Sequence, residues 1–160
     1  MILLLKTILI ICFGLILYQD VKERQVHWFL FPIVGILCGL LYYIESFPEM
    51  FFISILMNFM FIGVLTLGLL LYAKIKMGTS IFKTIGLGDI LLFIGLSVSF
   101  ATVSFIVMFI GALIFSLILH LFIKRMKNIT TIPLAGYMSL FFALAYMSYW
   151  TGIINNLYVI

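Results

Sequence analysis

The sequence predicts an all-α polytopic membrane protein with about six transmembrane helices and both termini on the outer face. Three observations predict it. Hydrophobic residues fill 66% of the 160 positions and charged residues 9%, against roughly 25% charge in soluble chains. Apolar runs close to the roughly 20 residues of a bilayer crossing alternate with short polar connections. Eight of the nine basic residues fall in the first, third and fifth connections, an asymmetry that marks the cytoplasmic side. The mean hydropathy of +1.39 excludes an ordinary soluble domain. Residues 1–160 read as one integral membrane domain, with no soluble face on which the net charge of +4 could serve nucleic acid.

Residues 1–19, apolar except for Lys6, form the first span. No small-x-small cleavage site precedes Asp20, so the span reads as a retained helix and not as a removed signal peptide. Residues 20–27 form a short polar loop or carry the helix into the headgroups. The second span is 28–44, with Trp28 as an interfacial anchor. Glu45, Ser46, Phe47, Pro48 and Glu49 make a turn, and 50–73 form the third span. The longest polar connection, 74–88, holds Lys74, Lys76, Lys83, Gly78, Gly86 and Gly88. From 89 to 123 the chain is apolar between basic flanks, so it should cross an even number of times. A turn over Ser97, Val98, Ser99, Phe100, Ala101 and Thr102 leaves roughly 16 residues for each crossing. The last span starts near Pro133, a residue suited to a first helical turn, and ends about Trp150. An uncharged tail follows.

Cys12 and Cys38 lie in apolar runs without a paired-cysteine motif, which excludes a zinc ribbon and reads as two small buried residues. Gly35, Gly39, Gly63 and Gly111 read as positions of close helix packing. His120, one turn before Lys124, reads as interfacial.

Asp20 and Asp89 are the only aspartates. A charge at the bilayer centre costs about 2.5–3.5 kcal/mol on insertion scales, so acids at a membrane border call for a use. Both fall on the cytoplasmic side of the predicted layout. Two carboxyls sharing a site cannot easily both ionise, and one acid with one carboxylate can polarise a carbonyl and activate water. That is peptide hydrolysis without metal, cofactor or nucleophilic side chain. Gly86 and Gly88, lacking side chains, would let a substrate strand approach the backbone beside Asp89. Asp20 ends a helix and Asp89 begins one, so helix dipoles favour the proton on Asp20 and the charge on Asp89.

Other readings compete. Asp20, Glu23 and His27 share one face at i, i+3 and i+7 if the first helix continues. With Asp89 they would make an oxygen-and-imidazole metal site, hence a metal-dependent membrane hydrolase or ion carrier. Against that, Glu23 and His27 also suit a solvated headgroup face. A non-catalytic transporter or assembly subunit would place its acids near mid-membrane, whereas both acids here fall at one border.

Gly86-Leu87-Gly88-Asp89 resembles the second aspartate motif of the Gly-x-Gly-Asp intramembrane aspartyl proteases, and specifically of the type IV prepilin peptidases, relatives of the archaeal preflagellin peptidases. The stretch from Asp20 to Trp28 resembles that family's first motif, Asp-Leu-Arg-x-Arg-x-Ile-Pro-Asn. It keeps the acid, the basic spacing and a β-branched residue, and carries His27 and Trp28 in place of Pro-Asn. Leu91 stands where the family often has Lys. Ile132-Pro133-Leu134-Ala135-Gly136 resembles the Ile-Pro-x-x-Pro opening of the family's last helix, with Gly136 for the second proline. The resemblance implies an aspartic endopeptidase of a prokaryotic cytoplasmic membrane, with Asp20 and Asp89 catalytic and Gly86 and Gly88 at the substrate. It implies a prepilin-like substrate, with a basic leader ahead of an apolar helix, cut at the cytoplasmic face after a glycine. Larger relatives also N-methylate the product with a zinc-binding cytoplasmic domain. None fits in this chain, so peptidase activity alone is expected. Lipid surrounds the protein, and a homo-oligomer is open.

Overall fold

Long apolar runs in lipid must satisfy their own backbone, and the α-helix is the local way to do it. The computed structural model describes residues 2–72, 74–75, 86–126, 132–154 and 157–158. These form six helices: α1 (Ile2–Glu23), α2 (Leu30–Glu45), α3 (Pro48–Tyr72), α4 (Leu87–Leu96), α5 (Thr102–Met126) and α6 (Leu134–Trp150). Three of them, α1, α3 and α5, are long and apolar enough to cross a membrane, while α2 and α4 are shorter apolar helices. The architecture is that of an all-α polytopic membrane protein.

Several boundaries differ from the expected ones. Of the two readings of residues 20–27, helical extension holds as far as Glu23, so Asp20 sits in the last turn of α1. Trp28 lies in the turn before α2 and is 72% exposed. The turn expected over 45–49 contracts to Ser46 and Phe47, because Pro48 begins α3, where its missing N–H costs nothing. Most of the 74–88 connection, including Gly78 and Lys83, lies outside the described residues.

The turn within the 89–123 stretch falls where the Ser/Thr patch indicated, but it divides the stretch unequally. Helix α4 has 10 residues and α5 has 25. Ten residues rise about 15 Å, half of a roughly 30 Å hydrocarbon core. The turn is therefore buried: Ser97, Ser99 and Phe100 are all at 0% exposure. Its loose carbonyls are met from α3. The Asn58 amide donates to the carbonyls of Ser97 and Phe100, each at 2.9 Å. Tyr42 of α2 likewise donates to Ser54 Oγ at 3.1 Å. Ser54, Asn58 and Ile62, spaced four apart, are the buried residues of α3, so this helix presents one mostly polar stripe inward.

Helix α6 packs between α1 and α5, and α4 lies against α2. At the α2–α4 contact, a Cβ on Gly35 would stand 3.2 Å from the Gly95 backbone, and one on Gly95 only 2.9 Å from the Phe31 carbonyl. Gly111 faces Phe141, whereas Gly63 has nothing within 4 Å and is no packing position. Cys12 and Cys38 are free and buried, as expected. His120, expected to be interfacial, is buried against the protein at 5% exposure. The tail is not wholly peripheral either. Leu157 and Tyr158 are buried, and the Tyr158 ring lies 5.8 Å from that of Tyr42 and 5.6 Å from that of Phe100, over the buried turn.

Candidate functional site: two carboxylates on one helix N-terminus

Three helix ends meet at one end of the bundle. Helix α1 stops at Glu23, and Arg24 takes the left-handed conformation, φ 56°, that commonly follows a helix C-terminus. The loop then folds back on α1: the Gln19 side-chain oxygen accepts the His27 backbone N–H at 3.0 Å and lies 3.0 Å from His27 Nδ1. This leaves Asp20 half-buried in the last turn of α1. Gly86 caps α4 with extended backbone, its carbonyl accepting the Asp89 N–H at 3.1 Å. Asp89 is thereby fixed in the first turn of α4, also half-buried.

Helix α6 begins after Pro133, which supplies no side-chain cap. The first-turn amides of any helix lack intrahelical acceptors. Here they find acceptors on two other helices. The Ala135 N–H donates to Asp89 Oδ1 at 3.0 Å, and the Gly136 N–H donates to Asp20 Oδ2 at 2.6 Å. The two carboxyls thus do jointly what an N-cap side chain ordinarily does for its own helix. The helix-end placement expected of each acid is found, Asp20 in the last turn of α1 and Asp89 in the first turn of α4, and the positive end of α6 is added to both.

Asp20 and Asp89 line one cavity of about 870 Å³, together with Gly86, Gly88, Arg24 and Gln25. Val26, Leu87, Ile132 and Leu134 make its apolar part. The four residues singled out from the sequence are therefore together. The two glycines differ from the expected loop pair: Gly88 belongs to the first turn of α4, where a Cβ would stand 3.4 Å from the Phe31 ring. A Cβ on Gly86 would stand 3.1 Å from Asp89 Oδ2. Glu23 and His27, the further members of the considered metal set, do not line the cavity. Among the described residues no three His, Cys, Asp or Glu side chains are grouped to hold a metal ion.

The sequence reading missed Ala135 and Gly136 as donors. Their signal was the Pro133 opening, which leaves first-turn amides uncapped, and Gly136 itself. A side chain there would stand 3.1 Å from Asp20 Cβ and 3.2 Å from Asp20 Oδ2.

The fold and the cavity define an all-α membrane protein with paired carboxyls at one end of the bundle. No protein-family model, curated protein or solved structure matches this chain.

Proposed function

We propose that this chain is an aspartic endopeptidase of the prokaryotic cytoplasmic membrane. It would be a short relative of the type IV prepilin peptidases that removes basic leaders from prepilin-like substrates and has no methyltransferase activity. The observation that carries the reading is the joint anchoring of Asp20 and Asp89 by adjacent amides at the start of α6, inside one cavity. In this reading the basic connections put that cavity at the cytoplasmic face.

The pair holds one proton. A water between the carboxyls gives a proton to the ionised one as its oxygen bonds to the scissile carbonyl carbon. The protonated carboxyl gives its proton to the carbonyl oxygen, forming a gem-diol. On collapse the C–N bond breaks, the nitrogen takes a proton from one carboxyl, and a gem-diol hydroxyl returns a proton to the other. The leader leaves with a carboxyl terminus and the mature chain with an amine. Ala135 and Gly136 act as positioning residues, and the Gly86–Gly88 segment leaves room for an extended substrate.

The test uses purified protein and a synthetic substrate with a basic leader, a glycine and an apolar helix. Asp20→Asn and Asp89→Asn should each lose nearly all cleavage, and the double variant little more, since members of one catalytic unit are not additive. Normal cleavage by either single variant would refute the reading.

A further inference from the structure

Hydrolysis leaves a product problem that the two carboxyls cannot solve alone. Every turnover adds a new carboxylate, the leader's C-terminus, to a cavity already holding Asp20 and Asp89. Like charges at close range repel, more strongly where water is scarce. Among its described lining residues the cavity offers one cation, Arg24.

Arg24 is placed differently from its basic neighbour. The Lys22 ammonium turns back along α1, donating to Tyr18 Oη at 2.5 Å and lying 4.9 Å from the centre of that ring. Arg24 lines the cavity and is exposed. Its guanidinium makes no hydrogen bond among the described residues, and its charge acts at longer range on Asp20 and Tyr137, so it is not tied to a fixed partner. Its backbone, at φ 56°, is in a region that side-chain-bearing residues other than Asn and Asp seldom occupy. An arginine kept in such a conformation at a cavity points to a use for its side chain. A guanidinium presents a planar fork of donors matched to a carboxylate, which an ammonium does not.

We propose that Arg24 is the product-carboxylate site: its guanidinium receives the leader's new C-terminal carboxylate in a two-point ion pair and holds it away from the aspartates. This rests on the peptidase reading for the identity of the ligand. The site takes a peptide ending in a free carboxylate and discriminates against the same peptide ending in an amide.

The probes are a short synthetic peptide with lysines ahead of a C-terminal glycine carboxylate, and its C-terminal amide. Each is fluorescently labelled at the N-terminus and titrated onto purified protein in micelles. Wild type should bind the acid about tenfold or more tighter than the amide, the range of a hydrogen-bonded charge pair. Arg24→Asn suits the left-handed backbone, so it removes the charge without straining the loop; it should bind both peptides alike. Arg24→Lys should keep part of the preference. Equal binding of both peptides by wild type, binding of neither, or an undiminished preference in Arg24→Asn would overturn the proposal. Cleavage of the full substrate separates the two readings. A protein that cleaves but does not discriminate loses only the Arg24 site. One that discriminates through Arg24 but does not cleave keeps the carboxylate site and loses the peptidase reading.

Discussion

Adding one methyl group at position 136 should disable the cavity without dismantling the fold. An alanine Cβ there would stand 3.1 Å from Asp20 Cβ, 3.2 Å from Asp20 Oδ2 and 3.4 Å from the Leu17 carbonyl oxygen. The Leu17 carbonyl belongs to the α1 backbone and yields little, so the Asp20 side chain must move by a few tenths of an ångström. That shift strains the 2.6 Å bond from the Gly136 N–H and moves the carboxyl relative to Asp89, which stays on Ala135. Misplacement of a reacting group by about 1 Å costs about 10²-fold. A third of that, with a weakened charge-assisted hydrogen bond, gives about a tenfold loss. The stability cost should be small: overpacking of about 1–3 kcal/mol, offset by about 1 kcal/mol of helix propensity gained over glycine. Gly136→Ala should therefore lower kcat for leader cleavage about tenfold, with KM little changed and thermal unfolding in detergent close to wild type. Gly63→Ala is the control, because nothing lies within 4 Å of its Cβ. Wild-type kcat in Gly136→Ala, or an equal loss in Gly63→Ala, would refute the reasoning.

Asn58→Leu should lower stability by about 2–4 kcal/mol, because it strands two carbonyls of a buried turn; an unchanged Tm in detergent would mean that they find other partners. Cleavage by purified protein should survive strong chelation. Loss with chelator and recovery with added divalent metal would favour the Asp20, Glu23, His27 and Asp89 set instead. Reporter fusions at Glu49 and in the tail should report outside, and those near Met77 and Lys127 inside; a cytoplasmic tail would overturn the six-span layout.

What the sequence made legible was what leaves a local mark. The two aspartates stood out by rarity, the buried turn by its serines and threonine, and the spans by unbroken hydropathy. The unequal lengths of α4 and α5 left no such mark, because an apolar helix in lipid carries no polar face to show which part is covered. Asn58 reads as an ordinary polar residue in α3 until the carbonyls of Ser97 and Phe100, some 40 residues on, are seen to need it. Tyr158 lay in a tail with nothing to mark it as buried. Gly136 was noted for departing from a family pattern, and its reason appeared only when Asp20, 116 residues earlier, was found against it.

The anchoring of both carboxyls by α6 has a consequence for the order of synthesis. Asp20 emerges with the first helix and Asp89 with the fourth, yet the amides that hold them belong to the last. A nascent chain that has inserted only through α5 carries both acids but lacks the element that fixes their spacing. Each acid then lacks the backbone amide that holds it in the complete fold. The cavity becomes whole only when residues 134–136 arrive. Under the proposed peptidase function, a chain truncated before residue 134 should lack this paired arrangement and cleave no leader.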